Sequence, residues 1–340
     1  MSDLPILPTT VVGSHGKPGW WHTCKYLHEQ GDWGPYDVEE LLSDAVDIAI
    51  LDQERAGVDI ITDGEARRLD GYVDGYYEVI DGIRALPVAR KAGPWGYDQQ
   101  TRYEAIGKIA APMGLRIVQE FTYLRDHTQK ATKVTCAGPL TFGSRIRPNT
   151  VYKDTVEIAE EFAHVINAEL KALVEAGATF IQLDEPARGN VSGKEMARLF
   201  NLATEGVEAK LAFHICFGNR FGRSRFKRSY SDYFPGVLEA RTHQFVLEYA
   251  SREMAEIEKW KEWHDGRELG AGIIDVKSFH PESPDDVAER LRTVLRYAAP
   301  EKVYINPDCG FGWSPRNMAV GKLQAMVAGT TIVRRELTRG

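Results

Sequence analysis

The chain has 340 residues, long for one average domain but normal for an α/β barrel with insertions. Hydrophobic residues make up 43% and charged residues 27%, the balance of a globular protein with ample chain for a large core. A net charge of −7 and a pI near 5.8 exclude a global attraction to nucleic acid or anionic membrane. No apolar run approaches a membrane span and the N-terminus lacks a signal-peptide apolar region, so a cytoplasmic location is expected.

Taken in chain order, short β-rich runs alternate with amphipathic helical stretches. Strands are expected at 10–13, 59–62, 133–136, 179–183, 210–215, 244–247, 272–276 and 302–305. Helices are expected at 38–56 (closed by Gly57), 153–176 (closed by Gly177), 193–208, 252–263, 284–298 and 315–336. Ser283-Pro284 and Ser314-Pro315 are helix-start signals, a capping side chain followed by a proline whose missing N–H is no loss there. This rhythm predicts one (β/α)8 barrel, an α/β fold, over 1–340. The alternative, an open doubly wound sheet, lacks a Gly-x-Gly-x-x-Gly after the first strand. The segment 65–132, between the second and third strands, breaks the rhythm. It is read as an insertion carrying a hairpin, with turn-rich runs at Gly71-Tyr-Val-Asp-Gly-Tyr-Tyr77 and Gly93-Pro-Trp-Gly96, before a helix near 112–126.

The chemistry collects at the C-terminal ends of the strands, where this fold carries function. His214-Ile-Cys216 ends the fifth strand, and strand alternation puts both side chains on one face. An imidazole and a thiolate make half of a tetrahedral zinc site. Cys309 follows the eighth strand in Asn306-Pro-Asp-Cys-Gly310, and Glu248 ends the sixth. Two sulfurs, one nitrogen and one carboxylate make a closed shell that opens when a ligand is displaced. Either cysteine taken singly also reads as a buried thiol packed like a small hydrophobe. The four cysteines, Cys24 and Cys136 among them, are not expected to form structural disulfides in a cytoplasmic protein.

Other strand ends carry Gly13-Ser14, Asp63-Gly-Glu65, Gln182-Leu-Asp-Glu-Pro186 and Asp275-Val-Lys277. Asp63 and Asp184 also suit helix capping. A zinc with two thiolate ligands is electron-rich. It suits holding a substrate thiol as a thiolate nucleophile at neutral pH. Glu65 and Asp184 then receive the ammonium of an amino-acid substrate, and Ser14 with the amides of the first loop its carboxylate. The expected reaction is S-alkylation of a thiol. After the fifth strand, Arg220, Arg223, Arg225, Lys227 and Arg228 crowd together within 220–228, as a solvated basic loop or an anion-binding edge.

Thr9-Thr-Val-Val-Gly-Ser14, Asp63-Gly-Glu65, Gly138-Pro-Leu-Thr141, Ile181-Gln-Leu-Asp-Glu-Pro-Ala187, His214-Ile-Cys216, Leu247-Glu-Tyr-Ala-Ser-Arg252, Gly272-Ile-Ile-Asp-Val276 and Ile305-Asn-Pro-Asp-Cys-Gly310 span nearly the whole chain. In that order they resemble the C-terminal catalytic barrel of cobalamin-independent methionine synthase. The resemblance implies zinc on His214, Cys216, Glu248 and Cys309, and homocysteine contacts from Ser14, Glu65 and Asp184. The chain resembles the stand-alone core form, without the N-terminal barrel of the long synthase.

Two further departures bear on the methyl donor. Arg145 stands where the family has a tryptophan that stacks on folate. Lys277 stands where the full-length enzyme has a catalytic histidine, with His280 three residues away; Lys277, His280 and Glu248 are the candidate catalytic residues. These departures lead to the expectation of a methylcorrinoid protein as donor rather than methyltetrahydrofolate. The alternative is an epoxyalkane:coenzyme M transferase-like S-alkyltransferase, which Arg67, Arg68 and the basic loop would serve and the Glu65–Asp184 pair would disfavour. A non-enzymatic zinc regulator and a decarboxylase of the uroporphyrinogen-binding barrels are the readings from other classes.

Overall fold

The computed structural model describes residues 4–69, 71–87, 101–187, 189–219, 222–224 and 227–338. Eight parallel strand segments close into a ring. Thr9 and Thr10 bridge to Ile305 on one side and Ile60 on the other. Ile60–Ile61 pairs with Ala131–Thr132, which runs on through Lys133 into Val134–Ala137. From there the order is Phe180–Asp184, Lys210–Ile215, Gln244–Glu248, Glu268–Ile274 and Val303–Pro307, each parallel to its neighbour. The ring closes where Val303–Pro307 returns to Thr9. This is the barrel expected from the sequence. Its strands are buried along most of their length because helices cover the outer face and side chains fill the inner one, hence their continuous apolar runs.

The crossover helices sit where their signals stand. Pro35–Ala56 ends at Gly57 in the left-handed region, φ 83°. Thr155–Glu175 begins at Asp154, whose carboxylate accepts from the Val156 and Glu157 amides. Ser192 caps Gly193–Ala203, and Ser283 with Asp286 forms a capping box on Pro284–Leu295. Arg316–Leu337 packs against Pro284–Leu295 and closes the outer layer. The main apolar cluster lies between these helices and the strands. The barrel interior is a smaller cluster of Val12, Ile60, Phe180, Ala212 and Val246.

The insertion carries the expected hairpin, Asp81–Ala85 antiparallel to Tyr103–Ala110, followed by the helix Ile117–Asp126. The Gly93–Gly96 run lies outside the described residues. Ile146–Arg147, from the loop after the third barrel strand, adds a parallel partner at Tyr103–Glu104, so the insertion is tied to the barrel mouth.

Three elements differ from expectation. The seventh strand is Glu268–Ile274 rather than 272–276. Its glycines hid it, and Gly272 is there because a Cβ would stand 2.7 Å from Asp308 Oδ1. The helix expected at 252–263 is broken. Glu253, Met254 and Glu256 all have positive φ, and the segment folds as Ala250–Arg252, Ile257–Lys259 and Trp260–Trp263. The Glu256 carboxylate fixes this path by accepting from the Tyr230 and Ser231 amides. Finally, a helix not expected, Gly19–Gln30, follows the first strand; it buries only Trp21, so it has no apolar stripe to read.

Candidate active site

The strand ends open into a cavity of about 1940 Å³, lined by Ser14, Lys17, Glu65, Asp184, His214, Cys216 and Cys309 among others. Sites for drug-sized ligands run to roughly 300–1000 Å³, so this space holds more than one small amino acid.

At its floor the fifth and eighth strands bring His214, Cys216 and Cys309 together, their ligand atoms all within 4.8 Å of one another. The two sulfurs are 3.6 Å apart. A tetrahedral zinc with Zn–S bonds of ~2.3 Å separates its sulfurs by about 3.8 Å. His214 Nδ1 bonds to the Val246 carbonyl at 3.1 Å, which leaves Nε2 as the outward nitrogen; Nε2 is buried and lacks a hydrogen-bond partner. A buried orphan nitrogen beside two sulfurs fits a metal ligand set. Cys216 is held well below the usual thiol range, first by the hydrogen bond from the Cys309 thiol and then, against burial, by the charge of His214.

Glu248 stands beside this trio but is engaged elsewhere. Its Oε1 accepts from Lys277 Nζ and from Ser251 Oγ, both at 2.6 Å, and its Oε2 lies 3.3 Å from the Phe217 amide. It is fully buried, and the ion pair with Lys277 offsets the desolvation of both charges. Tyr230 ties the two strands here, its oxygen accepting from the Glu248 amide while its O–H donates to the Ile215 carbonyl. Asp308 fixes the following turn by accepting from the amides of Tyr249, Ala250 and Ser251. His280 is not brought to the site: it is exposed, lies outside the cavity lining, and offers its carbonyl to Lys322.

The carboxylates line the same cavity, Asp184 in register with His214 on the neighbouring strand. Glu65 adopts a left-handed conformation, φ 50°, directly after Gly64 at φ 68°. Its Oε1 accepts from Thr135 Oγ1 at 2.9 Å and pairs with Arg68 Nη1 at 3.0 Å. Gly13 leaves room for it, since a Cβ there would lie 2.3 Å from the same oxygen. Arg68 also pairs with Glu120, whose carboxylate accepts from Tyr76. Asp184 accepts from Gln182 Nε2 at 2.7 Å and Tyr72 O–H at 2.9 Å. Burial pushes the Asp184 carboxyl up to about 6; the nearby His214 opposes this and Glu65 adds to it.

Beneath it, buried Lys133 donates to Gln182 Oε1 at 2.7 Å. A lysine only donates, so this bond orients the Gln182 amide with its NH2 toward Asp184. Ser14 is held at the first loop, where its Oγ accepts from the Gly312 amide at 3.0 Å.

Lys17, Tyr72, Gln182 and Asp308 were not singled out from the sequence. Gln182 was within reach, since period two places it on the face of Asp184. Tyr72 sits in the insertion, and only the tertiary fold brings it to the barrel.

Two of the basic groups read as anion receptors, Arg67 and Arg68, already have carboxylate partners. Arg67 bonds to Glu39 and Ser43, and Arg68 is neutralised by Glu65 and Glu120. In the basic loop, Arg220 and Arg225 lie outside the described residues; Arg223, Lys227 and Arg228 are exposed and none lines the cavity. Arg145 does line it, paired to Asp74 at 3.1 Å.

Known proteins are similar to this chain in sequence and fold. Residues 7–331 match the family described as the cobalamin-independent synthase, catalytic domain. A methionine synthase of Saccharolobus solfataricus is 38% identical over all of this chain and 98% of its own length. One from Sulfurisphaera tokodaii is 36% identical over 99% of this chain and 95% of its own. A B12-independent methionine synthase from Shewanella sp. W3-18-1, solved in complex with selenomethionine, superposes with a TM-score of 0.83 at 26% identity, covering 98% of this chain and 100% of that one. The chain belongs to the cobalamin-independent methionine synthase family and is a methyltransferase of that methionine synthase-like kind.

Proposed function

We propose that the chain transfers a methyl group to the sulfur of homocysteine, giving methionine, at a zinc held by His214, Cys216 and Cys309 with Glu248 as the fourth ligand. The observation that carries this reading is that the His214–Cys216–Cys309 trio and the Glu65–Asp184 carboxylates line one cavity. A thiol and an ammonium on one small molecule match those two sets of groups. That the Shewanella relative was solved with selenomethionine supports an amino acid with a chalcogen side chain.

Zinc, when bound, lowers the pKa of the substrate thiol and keeps it a thiolate at neutral pH. The residues do the rest. Asp184, with Tyr72 and Gln182 on its oxygens, and Glu65, braced by Arg68 and Thr135, hold the substrate ammonium. Ser14 and the first loop orient the carboxylate. In the transfer a sulfur–carbon bond forms, the donor–methyl bond breaks, and the electron pair leaves with the donor.

For the donor we favour a methylcorrinoid protein over methyltetrahydrofolate. A folate nitrogen must be protonated as it leaves. Lys277, at the place of the expected acid, is committed to Glu248 at 2.6 Å, and Arg145 replaces a stacking surface with an ion pair to Asp74. A corrinoid leaving group needs no such acid. The coenzyme M alternative loses support because Arg67 and Arg68 already have carboxylate partners. The reading is tested by assaying zinc-loaded protein with homocysteine against coenzyme M, and with corrinoid against folate donors. Methionine formation with the corrinoid donor supports it, and turnover of coenzyme M alone overturns it.

A further inference from the structure

Lys17 lies in the loop between the first barrel strand and the helix Gly19–Gln30, and it lines the cavity. Its Nζ donates to the carbonyl oxygens of Gly64 at 2.9 Å and Glu65 at 2.8 Å, across the turn where both residues have positive φ. The ring of Trp21 lies 5.9 Å from the same nitrogen. An ammonium has three N–H donors. Two are spent on carbonyls; the third has no protein partner among the described residues, and no carboxylate there forms an ion pair with it. A partly buried cation on a cavity wall without a paired anion is a receptor for one brought by a ligand.

The neighbourhood fixes which end of the ligand that is. The first loop packs against the loop that carries Cys309: a Cβ at Gly310 would stand 2.1 Å from Ser14 Oγ. Lys17 is therefore on the loop that borders both the sulfur end of the cavity and the Glu65 turn. Glu65 and Asp184 suit the ammonium of an amino acid and repel its carboxylate. The same two carbonyl bonds that hold the Glu65 turn also hold the Lys17 ammonium in place.

We propose that Lys17 supplies the charged partner of the α-carboxylate of the amino-acid thiol, beside Ser14 and the amides of the first loop, making the site selective for a zwitterion. This rests on the amino-acid reading of the site given above. Burial lowers the Lys17 pKa to about 8, with Glu65 and Asp63 opposing, so the group remains largely charged at neutral pH.

The test is calorimetric binding to zinc-loaded protein, with Lys17→Met and Lys17→Gln variants. The probes are homocysteine, 3-aminopropane-1-thiol, which lacks the carboxylate, and 4-mercaptobutanoate, which lacks the ammonium. Loss of Lys17 is expected to weaken homocysteine and 4-mercaptobutanoate by roughly ten- to a hundredfold, the range for a hydrogen bond to a charged group. Binding of 3-aminopropane-1-thiol is expected to stay within about threefold. Equal losses for all three would reduce Lys17 to a brace for the turn and overturn the proposal, as would unchanged homocysteine affinity. Lys17→Gln keeps donors for the carbonyls without the charge, so it carries the test if Lys17→Met does not fold. Should wild-type protein bind 4-mercaptobutanoate in a Lys17-dependent way but gain nothing from the ammonium of homocysteine, the amino-acid reading falls while the carboxylate role of Lys17 stands.

Discussion

The sulfurs of Cys216 and Cys309, on strand ends 93 residues apart in sequence, lie 3.6 Å from one another across the barrel mouth. Neither is in a disulfide, and the buried Nε2 of His214 completes a trio of soft and borderline donors. One zinc per chain is expected on purification. Cys309→Ser is expected to lose most of it, read by elemental analysis after dialysis against a weak chelator. Full retention in that variant would remove Cys309 from the metal site.

The Glu65–Asp184 wall makes a separate prediction. Asp184→Asn leaves a substrate ammonium with one charged acceptor fewer, a loss of about 1.5–3 kcal/mol in homocysteine binding. The desamino analogue 4-mercaptobutanoate should be unaffected or bind slightly better. Equal weakening of both ligands in titration calorimetry would show that Asp184 does not read the ammonium.

The ion pair of Lys277 with Glu248 is almost fully dehydrated, with side-chain exposures of 7% and 0%. Removing one partner leaves a buried charge. Lys277→Met is expected to destabilise metal-free protein by about 3 kcal/mol, and the double variant with Glu248→Gln to recover much of that. Urea unfolding of the set of variants checks it; a Lys277→Met protein as stable as wild type would mean that the pair is not maintained in solution.

Glu120 supplies a pH dependence. Burial pushes its carboxyl up to about 7, against 4.5 for a free side chain, with the Arg68 charge opposing and Asp63 adding. Arg68, Asp63, Tyr76, Lys17 and Cys136 are the titratable or charged groups around it. Between those two values the folded state holds a proton that the unfolded chain has released. Its contribution therefore favours folding most fully below about 4.5 and is lost as pH rises through about 7. Glu120→Gln should flatten the dependence of Tm on pH in that window relative to wild type. An unchanged slope would show that Glu120 is ionised throughout.

Much of this was legible in the chain because strand residues alternate. His214 and Cys216 share a face by spacing alone, and the eight apolar runs mark the barrel. What remained hidden depends on contacts across the fold. Tyr72 reaches Asp184 over 112 residues, and Lys277 meets Glu248 through the neighbouring seventh strand, whose glycines disguised its start. His280 was carried along by its nearness to Lys277 in sequence, yet the turn after the seventh strand directs it to solvent. The break at 253–256 is invisible to helix periodicity because positive φ at Glu253, Met254 and Glu256 is imposed by tertiary bonds to Glu256.

Methyl transfer to homocysteine sulfur at a protein-bound zinc is tested most directly by methionine formation by purified protein before and after metal removal, with a methylcorrinoid protein and methyltetrahydrofolate assayed side by side. Methionine is expected from homocysteine with the corrinoid donor, abolished by chelation and restored by zinc, with little from folate. Methionine formed at the same rate by metal-free protein would contradict it, and efficient turnover with methyltetrahydrofolate alone would contradict the donor assignment.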